Sequence, residues 1–157
     1  MVESRKQVRG DAMRSLLPMV KYSNEHVPRE YAHLVSLRAS AINDCKACIT
    51  THRRDARSDD WDEQRILAAE DWTNHRERYD EKETTVLELT DAITHIDGYV
   101  SVPDELWQRA EAHFGTGGTH NLLVSICAIN VFNRVSIATR TDPTKIKGAN
   151  DFDRDYS

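Results

Sequence analysis

Long apolar runs are missing from this chain. None approaches the roughly 20 uninterrupted residues of a membrane span, so no membrane partner is expected. Residues 1–10 are polar, mixed in charge and without the apolar centre of a secretory signal. An excess of positive charge is also missing. The net charge is −5 over 157 residues, the wrong sign for a nucleic-acid footprint. The basic group Arg53, Arg54 and Arg57 is interrupted by Asp55 and followed by Asp59 and Asp60, which suggests a solvated helix face. Internal repeats and low-complexity tracts are absent, and strand-length alternation is scarce. Together these absences predict a cytoplasmic protein. In that compartment a close cysteine pair points to catalysis or metal binding rather than to a structural staple.

What remains is a composition that builds one cored domain, 39% hydrophobic and 30% charged. Helical periodicity dominates. A short first helix is expected over residues 11–20. Pro28 suits a first-turn position ahead of Tyr31, Leu34, Val35, Leu37, Ala41 and Ile42. Asn43-Asp44 breaks that helix and is expected to cap the next. Ser58-Asp59-Asp60 is expected to cap another that carries Trp61, Gln64, Ile66 and Leu67. A helix over residues 81–96 ends at Gly98, one starts at Pro103, and Gly115 stops it. Residues 119–139 form the longest apolar helix, apolar on nearly all sides, which predicts burial within the domain or between subunits. The expectation is an all-α domain of about six to eight helices over residues 11–143. Residues 1–10 are expected to be a flexible N-terminus, and 144–157 a polar tail.

The chemistry concentrates at Cys45-Lys46-Ala47-Cys48 and His52. On a helix these spacings put Cys45, Cys48 and His52 on one face over two turns. Two thiols on adjacent turns can join as a disulfide with little backbone movement, and the histidine can take a proton from the second. An attacking thiolate, a resolving thiol and a base are the minimum for dithiol redox chemistry. Two other readings stay open on the residues alone. Cys45, Cys48 and His52 could hold zinc with His33 as the fourth ligand. They could also be ordinary buried thiols beside a surface histidine. Cys127, in an apolar run, reads as a small buried hydrophobe. Trp61, Trp72 and Trp107 read as core or interface anchors. The remaining histidines show no partner spacing. Asn130, Asn133 and Arg134 interrupt an apolar helix and predict a hydrogen-bonded junction.

The stretch from Leu34 through Cys45-Lys46-Ala47-Cys48 to His52, continued by Asp55-Ala56-Arg57, resembles the AhpD-like alkylhydroperoxidase family within the carboxymuconolactone decarboxylase superfamily. Similarity returns in the segments beginning at Val102 and Ala128 and spans roughly residues 15–143. The Cys-x-x-Cys-x-x-x-His core resembles the redox branch. The resemblance implies an all-helical fold, homo-trimers or homo-hexamers, and an antioxidant peroxidase. Cys48 is then the peroxidatic cysteine, Cys45 resolves it as a disulfide, and His52 relays the proton. The resemblance further implies a small peroxide substrate, no bound cofactor, and reduction by a lipoyl or thioredoxin-like dithiol donor. Two positions depart from the pattern: Ala47 stands beside Cys48 where the resembled family carries a histidine or an aromatic, and the other is position 33. Twelve residues before the first cysteine the family carries a glutamate, and this chain carries His33; Glu30 lies a turn earlier. The departure makes His33 a fourth candidate site residue. It also keeps two alternatives in view: a thiol switch without turnover and a Cys2His2 metal domain.

Overall fold

The computed structural model describes residues 2–146, which form seven α-helices and no strand. In chain order they are α1 (Gly10–Arg14), α2 (Leu17–His26), α3 (Arg29–Ile42), α4 (Lys46–Ser58), α5 (Glu63–Glu70), α6 (Glu81–Thr94) and α7 (Asp104–Thr139). The architecture is the expected all-α class. Of the expected polar tail, residues 147–157 lie outside the described residues.

The central element is α3. It buries His33, Leu34, Val35, Leu37, Ala39 and Ser40 and packs against α4, α5, α6 and α7. Its apolar side chains join Ile66, Trp72, Val86, Leu87, Leu89, Leu122 and Ile126 in one core. Burying an aliphatic side chain of this size contributes about 1.5–3 kcal/mol. Trp61 and Trp72 are core residues and Trp107 packs at the edge, the anchor roles expected of them.

The starts of α5 and α6 follow side-chain chemistry. Asp80 caps α6 in a reciprocal box with Glu83. At α5 the cap is Asp62, whose carboxylate accepts from Arg65 N–H at 2.8 Å, rather than the expected Ser58-Asp59-Asp60. Those three residues terminate α4 instead. Asp60 takes a left-handed φ of 62°, and Trp61 N–H donates back to Ala56 O at 3.0 Å. This closes the helix end that precedes the cap.

Gly115 bends α7 rather than stopping it. With φ 70° and ψ 169° it leaves the helical region in mid-helix, a conformation that glycine adopts without strain. Beyond the bend, α7 packs on α2, α3 and α6. One stretch of α7 reaches a mean hydropathy of 1.6 with only 33% of it buried. By length and composition this helix is apolar enough to cross a membrane. The expectation that nothing in the chain approaches that threshold is therefore corrected: Ser, Asn and Thr break the apolar run without lowering its mean enough. The N-terminal stretch hydrogen-bonds to the end of α7 and the residues just after it. Arg5 N–H donates to Thr139 O at 2.8 Å, and Gln7 accepts from the Thr141 hydroxyl at 2.6 Å.

Candidate functional site

The α3–α4 junction places the cysteine pair. Asn43 ends α3, and Asp44 reverses the chain at a left-handed φ of 51°. Its N–H and that of Cys45 donate back to α3, to Ala41 O at 3.1 Å and Ser40 O at 3.0 Å. The N-cap of α4 is therefore Cys45 and not Asn43 or Asp44. Its backbone is extended, and its sulfur accepts from Cys48 N–H at 3.4 Å. Asp44 is unsuited to the cap because its carboxylate turns outward to Lys46. Cys48 sits in the first turn, where free backbone N–H groups favour a thiolate.

Cys45 and Cys48 are joined as a disulfide with Cα atoms 5.2 Å apart. The two residues are only 1% and 6% exposed. Ala47 lies with them, and Ile146 packs against this cluster. Arg54 donates to the Ile146 carbonyl and holds that segment against α4. On the other side, the Phe132 carbonyl oxygen of α7 is 3.9 Å from Cys48 Sγ.

The two histidines face different partners. His52 Nδ1 lies 3.5 Å from Asp55 Oδ2, with both side chains mostly withdrawn from solvent. His33, 4% exposed, reaches Asp59 Oδ2 through Nε2 at 2.6 Å. Arg29 donates to the same oxygen at 2.6 Å, and Trp61 meets the His33 ring edge-on. Burial pushes the His33 imidazole below its ordinary value, against the upward pull of the Asp59 hydrogen bond. The hydrogen bonds from Arg29 and His33 hold Asp59 below the usual carboxylate range. Asp59 lies eleven residues past Cys48, roughly 16 Å of helix rise. His33 is therefore bound at the end of α4 away from the sulfurs, so a Cys2His2 set does not come together. Among the described residues no three His, Cys, Asp or Glu side chains converge as metal donors.

Around this centre α4 is clamped on several sides. Asn43 donates to the side-chain oxygens of Asn130 and Asn133, at 3.0 and 2.9 Å. Asn133 donates on to Ser40 Oγ at 3.1 Å, and Asn130 to Thr94 Oγ1 at 3.0 Å. This is the polar helix junction expected of Asn130 and Asn133, with Arg134 folded onto Asn130. The basic group is partly solvated, with Arg57 exposed, and its arginines are engaged. Arg53 grips Glu70 of α5 through two bonds of 2.6 Å, Arg57 grips Glu63, and Arg54 takes the Ile146 carbonyl. The acids that Arg53 and Arg57 meet come from α5. Cys127 is half-buried, and burial raises its thiol. A cleft of about 480 Å³ beside Trp72, Arg76, Asp91 and Arg109 is lined by none of these site residues.

Three contributors were not singled out from the sequence. Asp55 carried a legible signal, three residues after His52 on the same helix face. Asp59 is visible only once α3 lies beside α4. Ile146 gave no signal at all.

The carboxymuconolactone decarboxylase family model matches residues 10–92. An uncharacterized protein of Bacillus subtilis (strain 168), YdfG, is 35% identical over 133 residues, covering 84% of this chain and 89% of that one. A crystal structure from Agrobacterium tumefaciens superposes with a TM-score of 0.76 at 31% identity, over 83% of this chain and 89% of that one. It is described as a protein of unknown function, ATU0492, and provisionally as the antioxidant defence protein AhpD. With more than half its length matched and its cysteine pair at disulfide distance, the chain belongs to the carboxymuconolactone decarboxylase family and is built like its AhpD-type members.

Proposed function

We propose that this protein is a thiol-dependent hydroperoxide reductase of the cytoplasm. The observation that carries the reading is the Cys45–Cys48 disulfide at the start of α4, with His52 one turn further along the same helix. In the reduced protein, His52 accepts the Cys48 proton. The Cys48 thiolate attacks the nearer peroxide oxygen. The S–O bond forms as the O–O bond breaks, and the departing alkoxide or hydroxide takes up a proton to leave as alcohol or water. Cys48 is then a sulfenic acid. The Cys45 thiol displaces its oxygen as water and closes the disulfide. An external dithiol donor, lipoyl or thioredoxin-like, returns both electrons by thiol–disulfide exchange and leaves as its own disulfide. The cycle requires no bound cofactor.

We further propose a homo-trimer or homo-hexamer. Val124, Cys127, Val131 and Val135 form a half-buried stripe along α7, an apolar face that a second copy would cover. A second reading is a redox switch without turnover, and the deep burial of both sulfurs favours it. A coupled assay separates the two. With hydrogen peroxide or an organic hydroperoxide and a lipoyl or thioredoxin-like donor, the reductase consumes many equivalents per chain. The switch loses two thiols and stops.

A further inference from the structure

We infer that Asp55 positions His52 as the proton acceptor of Cys48, so that Cys48, His52 and Asp55 act as one line along α4. The inference deepens the proposed reductase and rests on it.

The first argument is placement. Cys48, His52 and Asp55 follow at intervals of four and three residues, which stacks them on one helix face. The Asp55 carboxylate meets His52 at Nδ1, at 3.5 Å. A carboxylate there favours the tautomer with hydrogen on Nδ1 and the lone pair on Nε2. That lone pair is what a base needs, and it leaves the carboxylate side of the ring occupied by the Nδ1 proton. When the proton of Cys48 moves to Nε2, the ring becomes a cation, and Asp55 is the charge that stabilises it. Both side chains are about four-fifths withdrawn from water, so solvent screens the pair less than an exposed one.

The second argument is exclusion. Four elements pack against α4: α3, α5, α7 and the 3-10 turn Pro143–Lys145. Their charged groups are engaged elsewhere or face out. On α3, Arg29 and His33 close on Asp59, Arg38 closes on Asp91, and Glu30 is exposed. On α5, Glu63 and Glu70 hold Arg57 and Arg53, and Arg65 lies over the Trp61 ring. On α7, Arg134 turns back onto Asn130, and Lys145 of the turn pairs with Asp142. On α4 itself, Lys46 pairs with Asp44 and Arg54 holds the Ile146 carbonyl. Among the described residues Asp55 pairs with no lysine or arginine, so its charge is left for His52.

The test uses the Cys45→Ser protein, in which Cys48 is a free thiol. Alkylation of Cys48 by iodoacetamide is followed across pH, alongside a single turnover with hydrogen peroxide. Asp55→Asn is expected to move the alkylation profile about one unit to higher pH and to slow sulfenic acid formation about tenfold near neutrality. Asp55→Glu, which keeps the charge, is expected to recover most of both. An unmoved profile in Asp55→Asn, or the same shift in Asp59→Asn alone, overturns the assignment. Imidazole nitrogen shifts of His52 in the wild-type chain give a readout that no variant can confound. Hydrogen on Nδ1 supports the inference, and hydrogen on Nε2 sinks it. A wild-type protein that ignores peroxide yet shows the Nδ1–H tautomer and the alkylation shift defeats the reductase reading and leaves the His52–Asp55 coupling standing.

Discussion

His33 Nε2 and Asp59 Oδ2 lie 2.6 Å apart, and the Arg29 guanidinium shares the same oxygen. This contact ties α3 to the C-terminal end of α4. Where the resembled family has an acid on α3, this chain has an imidazole, and the facing acid stands at the end of α4.

The pair makes stability depend on pH in a defined direction. Burial depresses the folded His33 below its unfolded value of about 6.5, so the unfolded chain binds the extra proton first. The penalty is absent well above pH 6.5, grows as pH falls below it and levels off beneath the depressed folded value. Asp59 adds a separate loss of the same sign at lower pH. Its stabilising contribution is present above about 3.9 and disappears as pH drops through its lowered folded value. His33→Gln keeps a donor for Asp59 and does not titrate. Urea melts between pH 7 and 5 should therefore show a flatter fall in the variant than in the wild type. Parallel curves would show that another group governs this window.

Putting a carboxylate back on α3 should harm this protein rather than improve it. In His33→Glu two acids face each other at hydrogen-bond distance from a single arginine, and like charges that close cannot both ionise freely. A loss of about 1–3 kcal/mol is expected, as for a broken buried hydrogen-bonded pair. Adding Asp59→Asn should restore much of it, because the double variant again has one acid. A double-mutant cycle from denaturant melts measures this coupling directly. Strict additivity of the two changes would mean that the residues do not sense each other.

How much of this was legible beforehand follows from the range of each interaction. The helices came from periodicity, and the thiol face from spacings of three and four, all within one or two turns. The role of Asn130 and Asn133 was readable as polarity in an apolar helix, although their partner Asn43 was not. The errors fell where a local signal had two uses. Asn43-Asp44 and Ser58-Asp59-Asp60 are good N-cap residues, yet both groups close the preceding helix, because an aspartate in the left-handed region ends a helix as well. Gly115 looked like a stop but serves as a bend, since packing on α2, α3 and α6 carries α7 onward. The pairing of His33 with Asp59 spans 26 residues, and nothing local announces it.

The two sulfurs should behave differently when separated. Cys48→Ser removes the proposed attacking thiolate and should abolish peroxide consumption. Cys45→Ser should allow one oxidation and leave a sulfenic acid on Cys48 that a dimedone-type trap captures. His52→Ala should slow that oxidation, because the proton acceptor is gone. Peptide mass spectrometry of trapped single-cysteine variants assigns the sulfenic acid. Finding it on Cys45 would exchange the roles of attacking and resolving thiol.

The disulfide forms where a reducing dithiol cannot easily reach it. Cys45 and Cys48 are nearly closed to solvent, and Ile146 packs against the pair while Arg54 holds its carbonyl. Thiol–disulfide exchange needs a thiolate to approach one sulfur along the S–S axis, so the Ile146 side chain is expected to limit that approach. Ile146→Gly removes the side chain and keeps the backbone anchor. Arg54→Ala removes the anchor and keeps the side chain. Both should speed reduction of the oxidised protein several-fold, and a protein dithiol should gain more than dithiothreitol because it needs the wider opening. The release of two thiols per chain, followed by a colorimetric thiol reagent in stopped flow, gives the rates. If both variants match the wild type with both reductants, Ile146 packs against the pair without limiting access, and exchange is governed by the chemistry at Cys45 and Cys48 alone.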